Sequence, residues 1–153
     1  MINDKKWIEY IRNQELEYIK EILENSKKKH ILEIGGKDGY FAKLLTDWGF
    51  EVISIDIDPI STYFDVKKMS ATNLEFKSNT FEIVLSSHVI AHIKDKKLLF
   101  KEINRVLKTN GIIIHIVPSN WWSIITNFWH YILLPKYLFQ KSKKNKSLIK
   151  NEV

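Results

Sequence analysis

The chain contains no cysteine. That excludes disulfides, thiolate metal sites and a cysteine nucleophile, and it fits a reducing compartment. The first residues, Met1-Ile2-Asn3-Asp4-Lys5-Lys6, lack the apolar core of a secretory leader. No signal peptide is therefore expected, and a cytoplasmic location is. No internal repeat is visible. Acids are missing from residues 136–150, which hold six lysines. The remaining residues carry 18 basic and 18 acidic side chains, so the formal net charge of +6 belongs to this tail. A cationic nucleic-acid-binding face over the body of the chain is not indicated.

What is present suits one globular domain. The length of 153 residues fits a single core, and an apolar fraction of 44% is enough to build one. Trp7, Ile8, Ile11, Tyr18, Ile19, Ile22 and Leu23 recur at helical spacing, which predicts an amphipathic helix over 4–25. His30–Ile34 reads as a first strand. Tyr40–Trp48 reads as a helix, with Gly49 suited to its C-terminal cap. Glu51–Asp56 is the second strand, and Asp58-Pro59 turns the chain. Tyr63–Val66 is a candidate third strand, and the thirteen residues between Asp56 and Ser70 leave little room for a full crossover helix, which is expected to be a turn or absent. Phe81–Ser86 is the fourth. Asp95 can cap a helix over 96–108. Asn110-Gly111 reads as a turn before a fifth strand, Ile112–Val117, apolar throughout as for a parallel strand covered on both faces. Strand and helix alternate, which implies an α/β, doubly wound, mostly parallel sheet.

Two features carry chemistry. The first strand ends in Glu33 and runs into Gly35, Gly36 and Gly39 around Lys37. Glycines let backbone pass close to a ligand, and a helix N-terminus follows with unpaired N–H groups. The second strand ends in Asp56, placed to accept hydrogen bonds from ribose hydroxyls. Together they read as a nucleoside-cofactor site.

These residues resemble the class I S-adenosylmethionine-dependent methyltransferases, most closely the small-molecule branch related to the ubiquinone and menaquinone methyltransferases. The resemblance runs from about His30 to Pro118. Glu33, Gly35 and Gly39 match the family's first motif, while Lys37 holds its middle glycine position and Gly36 sits one place early. Asp56 matches the acid of the second strand, with Ile57 next to it. Ser70-Ala71, Leu74-Glu75-Phe76 and Thr80-Phe81-Glu82 follow the family's Asp-Ala, Leu-Pro-Phe and Ser-Phe-Asp. Ser86-Ser87-His88-Val89-Ile90-Ala91-His92 resembles the segment after the fourth strand. Arg105-Val106-Leu107-Lys108-Thr109-Asn110-Gly111 resembles Arg-Val-Leu-Lys-Pro-Gly-Gly.

The resemblance implies strand order 3-2-1-4-5 and S-adenosylmethionine as cofactor. It implies Glu33, Gly35, Gly36 and Gly39 at the methionine end and Asp56 on ribose. Ile57, Ser70 and Ala71 would surround adenine, and the Ser86 and Ser87 backbone would lie near the amino group. The family's sixth and seventh strands are not legible here, so a homodimer through the fifth-strand edge is one expectation. The implied layout is a cofactor-binding domain over 1–118, an aromatic helical segment over 119–140 and a lysine-rich tail over 141–153.

His92 is the candidate acid or base, matching a pocket position in the family. His88 shares its four-residue spacing, but no third ligand is nearby, so no metal is expected. Trp121–Phe139 is rich in aromatics and precedes the lysines. It suits a membrane-surface helix with 121–150 on anionic lipid, a lid over a hydrophobic acceptor, or a helix on the fifth strand. The expected activity is methyl transfer to a small-molecule or lipid-like acceptor. The alternatives are a non-catalytic cofactor-binding or scaffolding subunit and a membrane-associated shortened enzyme. A nicotinamide dehydrogenase is disfavoured by the glycine spacing. Nucleic-acid methylation is disfavoured by the lack of an Asn-Pro-Pro-Tyr-like element.

Overall fold

A computed structural model describes residues 4–117, and their side chains from residue 8 onward. The aromatic segment 119–140, the tail 141–153 and the membrane reading of 121–150 lie outside the described residues. The elements run α1 (Asp4–Asn25), β1 (His30–Ile34), α2 (Tyr40–Asp47), β2 (Glu51–Asp56), β3 (Val66–Lys68), β4 (Phe81–Ser87), α3 (Lys96–Val106) and β5 (Leu107–Ile116). The five strands form one sheet in the order β3-β2-β1-β4-β5, every pair parallel. This is the order that the resemblance implies.

The apolar runs explain the layers. Alternate residues of a strand point to opposite faces. Ile31, Ile83 and Leu85 therefore pack with Leu16, Ile19 and Leu23 of α1 and with Phe41 and Leu45 of α2. Leu32, Ile34, Ile55 and Val84 face the other way, onto Leu99, Ile103 and Val106 of α3. Fully burying one such side chain stabilises the fold by about 2 kcal/mol. The central strand β1 has only its first residue exposed. Among the described residues no helix is long and apolar enough to cross a membrane.

Helix ends follow their sequences. After α2, Gly49 N–H donates to Thr46 O at 2.9 Å and Phe50 N–H to Leu45 O at 3.1 Å, the paired bonds of a Schellman stop. The helix ends at Asp47 and Trp48 is its cap residue. Asp95 Oδ1 accepts from Leu98 N–H at 2.9 Å and caps α3. Asp95→Ala should lower stability by about 1 kcal/mol, read from the urea midpoint. An unchanged midpoint would show that this cap contributes nothing.

Three expectations need correction. The third strand is Val66–Lys68, not Tyr63–Val66. The backbone before it is committed to the glycine turn: Ile60 and Ser61 N–H donate to Lys37 O, and Thr62 and Tyr63 N–H donate to Asp38 O. The Ser61 hydroxyl then bridges Val66 N–H and Val66 O, so pairing with β2 begins only at Ser54 and Val66.

The fifth strand starts directly at the end of α3. Its partners jump from Phe81 and Leu107 to Ile83 and Ile112, so the expected turn at Asn110-Gly111 is an irregular bulge inside one strand. None of its side chains is fully buried, and Ile113 is 38% exposed. Among the described residues β5 is an edge strand rather than one covered on both faces.

The connection from β2 to β3 has no helix, as the short span from Asp56 to Ser70 suggested, and neither has the connection from β3 to β4. Arg105 of α3 holds the latter instead, donating to Phe76 O at 2.6 Å and Leu74 O at 2.8 Å. Glu102 accepts from Leu74 N–H at 2.9 Å. The Arg105 guanidinium and that N–H bring the Glu102 carboxyl down to about 2.

Candidate functional site

The site lies where β1, β2 and β4 end. Gly35 and Gly36 N–H both donate to Ile55 O, at 2.8 and 3.1 Å. That bond pair folds the turn over the end of β2. A Cβ on Gly36 would stand 1.8 Å from Ser54 Oγ, and one on Gly35 would stand 2.8 Å from Val89 Cβ. Neither position has room for a side chain. Lys37 takes a left-handed backbone conformation, with φ 43°. A lysine held there costs about 1 kcal/mol. Its Nζ donates to Asp58 O at 2.5 Å and Asp58 Oδ2 at 2.9 Å.

Asp56 joins the turn to the strand beyond. Its Oδ2 accepts from Lys37 N–H at 3.1 Å and its Oδ1 from Asp58 N–H at 2.8 Å. Each oxygen keeps a second lone pair for a ligand hydroxyl.

Two cavities meet at Gly35, which stands in the wall of both. The first, about 280 Å³, is bounded by Glu33, Gly36, Ser87 and His88 and by Arg12 and Glu15 of α1. The second, about 520 Å³, is bounded by Asp56, Ile57, Ser70, Ala71, Val89 and His92. Gly39 and Ser86 line neither. Gly39 lies against the backbone of Phe64. Ser86 is 1% exposed and shares a 2.7 Å hydrogen bond with His115 Nδ1 on β5. Among the described residues no group of three or more metal-ligating side chains is present.

Glu33 is the electrostatic centre of the first cavity. It is 4% exposed and accepts from Ser54 Oγ at 2.5 Å. Burial pushes its carboxyl up to about 7, against the opposing pull of the Ser54 hydrogen bond and the Arg12 guanidinium. The Asp38 and Asp56 charges push it further up.

Several site residues escape a reading of the sequence alone. Arg12 donates to Asp38 Oδ1 at 2.6 Å. Glu15 accepts from Ser87 Oγ at 3.1 Å, and its Oε1 lies 2.5 Å from His88 Nε2. The available signal was a charge set into the apolar stripes of α1, Arg12 beside Leu16 and Ile19, and Glu15 beside Ile8 and Ile22. Thr72 also escapes, although its Oγ1 lies 2.9 Å from Ser70 Oγ in the second cavity. The two histidines part company. His92 is exposed beside Asp56 and Ile57, whereas His88 is held by Glu15 in the first cavity, with φ 55°.

A family model described as a methyltransferase domain matches residues 7–147. The chain belongs to the class I methyltransferases. This methyltransferase domain is 31% identical over 127 residues to 2-methyl-6-phytyl-1,4-hydroquinone methyltransferase of Synechocystis, covering 71% of this chain and 37% of that one. It is also 31% identical over 109 residues to an uncharacterized protein of Methanocaldococcus jannaschii, covering 69% of this chain and 48% of the other. The chain thus spans less than half the length of these curated relatives. Among solved structures, a Pyrococcus horikoshii OT3 protein shares the fold with a TM-score of 0.66 at 24% identity, over 82% of this chain and 62% of that one. A putative sarcosine dimethylglycine methyltransferase from Galdieria sulphuraria gives 0.58 at 21% identity, over 68% and 46%.

Proposed function

We propose that the domain transfers a methyl group from S-adenosylmethionine to a small-molecule or lipid-like acceptor. The carrying observation is the pair of cavities joined at Gly35, with Glu33 in the wall of one and Asp56 in the wall of the other. That spacing suits an adenosyl amino acid bent over the glycine turn. Under this reading Glu33, Gly35, Gly36 and the Ser87 backbone face the methionine end. Asp56 accepts the ribose hydroxyls through its remaining lone pairs. Ile57, Ser70 and Ala71 surround the adenine, with the Ser70 and Thr72 hydroxyls at its polar edge. Gly39 and Ser86 shape the backbone around these groups.

The cofactor supplies an activated methyl group on a sulfonium. The chain supplies position: it fixes the donor in line with an acceptor, which is worth several kcal/mol of barrier. Under this reading His92, which shares the cavity of Asp56 and Ile57, stands near the nucleoside and remains the candidate acid or base. Similarity to a prenylated hydroquinone methyltransferase supports the lipid-like acceptor.

Calorimetry with S-adenosylhomocysteine tests the reading. The chain should bind it, and Asp56→Ala should weaken binding by about tenfold or more through two lost hydrogen bonds. Equal affinity in the variant would remove Asp56 from the site. No binding to the unsubstituted chain would remove the proposal. A panel of hydroquinones then reports turnover.

A further inference from the structure

The residue that follows β4 is held in a costly conformation. His88 has φ 55°, a left-handed backbone that is uncommon outside glycine. Two contacts hold it there. Its N–H donates to Ile116 O at 2.9 Å. The next residue, Val89, packs on Gly35, where an added Cβ would stand 2.8 Å from Val89 Cβ. Strain of this kind collects at functional sites.

The imidazole is oriented as well. Nε2 lies 2.5 Å from Glu15 Oε1, and Glu15 Oε2 accepts from Ser87 Oγ at 3.1 Å. A carboxylate only accepts hydrogen bonds. Facing one, Nε2 carries the proton of a neutral imidazole and Nδ1 keeps its lone pair. The Glu15 side chain is 16% exposed and that of His88 is 43% exposed. A mostly buried acid thus sets the tautomer of a half-open base, which is the arrangement of an activated general base. Arg12 and Glu33 are the other charged groups of the cavity wall, and Ile8, Ile11 and Phe41 give it an apolar side.

We propose that His88 is the general base for a phenolic acceptor, with Glu15 as its positioning residue. The inference rests on the methyl-transfer reading above and names the acceptor chemistry. The apolar side of the cavity suits an aromatic ring. A phenol gives up its proton near pH 10, as a tyrosine does (about 10). It is therefore neutral at physiological pH, yet acidic enough for an imidazole to take the proton as the methyl arrives. The phenol oxygen forms the new bond to the methyl carbon. The bond from that carbon to sulfur breaks, and its electron pair stays on sulfur. The hydroxyl proton passes to His88 Nδ1. The products are an aryl methyl ether, a thioether and an imidazolium paired with Glu15, which then loses its proton to water.

The experiment uses the full chain and two probes, hydroquinone and 4-nitrophenol, the second already largely ionised in mildly alkaline buffer. His88→Gly is the main variant, because glycine accepts this φ without strain and leaves room for a free ring. With hydroquinone it should lower kcat by about 100-fold or more, while the chain still binds S-adenosylhomocysteine. Added imidazole should restore much of that loss. With 4-nitrophenol the loss should shrink to less than about tenfold. Glu15→Ala should lower kcat for hydroquinone by about tenfold, with little change in KM and no response to imidazole. Nitrogen-15 magnetic resonance of the histidine-labelled chain, with neither cofactor nor acceptor, should show His88 protonated on Nε2 and bare on Nδ1. Glu15→Ala should lose that preference.

A protonated Nδ1, an equal kcat loss with both phenols, or no rescue by imidazole overturns His88 as the base. Lost turnover in His92→Gln beside normal turnover in His88→Gly gives the proton to His92 instead. No transfer to either phenol, by a chain that binds S-adenosylhomocysteine, overturns the phenolic acceptor and leaves the cofactor reading standing. A chain that does not bind S-adenosylhomocysteine fails the cofactor reading, and this one with it.

Discussion

Gly39→Ala should cost the fold about 3 kcal/mol, the sum of a left-handed backbone and a collision. Gly39 has φ 79°, and a Cβ there would stand 2.7 Å from Phe64 N and 2.8 Å from Phe64 O. Those neighbours are backbone, and they cannot swing aside. Asp38 O accepts from Thr62 and Tyr63 N–H, so the 60–64 segment is fastened to the same turn. Pushing Phe64 away would pull on those bonds and on Ile60 and Ser61, which donate to Lys37 O.

Gly49→Ala is the matched control. Its φ is 85°, but a Cβ there meets nothing within 4 Å. That variant should lose only the conformational part, about 1 kcal/mol. The difference between the two urea-derived stabilities therefore isolates the close approach of Phe64. Equal losses at both positions would show that the 60–64 segment yields to the added methyl. Because the turn bounds the first cavity, the Gly39 variant should also lose affinity for S-adenosylhomocysteine, and the Gly49 variant should not.

Much of this architecture is legible in the chain because buried parallel strands leave a strong mark. Ile83–Leu85 is an unbroken apolar run and Ile31–Ile34 is interrupted only by Glu33, and their neighbours cover both faces. Asp95 before an apolar helix and Gly49 after one mark boundaries to within a residue or two. The glycine turn and Asp56 come together because parallel β1 and β2 pair in register, Glu33 opposite Ser54 and Ile34 opposite Ile55.

What escapes the sequence depends on contacts between distant residues. The third strand starts late because Ser61 and the glycine turn consume the preceding backbone, which no local propensity records. The bulge in β5 reads as a turn because Asn110 does adopt positive φ, 65°, yet the strand resumes beyond it. Lys37 holds a positive φ in contacts that its sequence does not record, with Asp58 on its side chain and Asp56 on its N–H. The α1 charges are hidden for the opposite reason. An arginine and a glutamate on an amphipathic helix look like solvated surface until the helix is docked over the glycine turn.

Glu33→Gln should remove the largest pH-dependent loss of stability between pH 4.5 and about 7. Burial raises the Glu33 carboxyl from the ordinary 4.5 to about 7 in the folded chain. In the unfolded chain it titrates near 4.5. Between those values the folded chain keeps a proton that the unfolded chain has released. Folding then takes up a proton, and stability falls as pH rises.

The contribution is complete below pH 4.5, declines across the window and is gone above about 7. A shift of that size corresponds to about 3 kcal/mol. Glutamine has nearly the same shape, carries no charge and can accept the Ser54 hydroxyl through its own oxygen. Relative to the unsubstituted chain, Glu33→Gln should therefore gain about 3 kcal/mol on going from pH 4.5 to pH 8. Other carboxylates titrate in both proteins and cancel in the difference. Parallel urea midpoints at the two pH values would show that Glu33 stays ionised in the fold.

Under the proposed function the same charge has a cost and a use. A ligand ammonium beside Glu33 favours the carboxylate, so cofactor binding below pH 7 should release a proton. Calorimetry in two buffers of different ionisation heat measures that release directly. It should be present in the unsubstituted chain and absent from Glu33→Gln, which should also bind S-adenosylhomocysteine more weakly. The substitution that makes the domain more stable at neutral pH is thus expected to make it a poorer cofactor site, because the buried acid that strains the fold is the one placed to meet the ligand's positive charge.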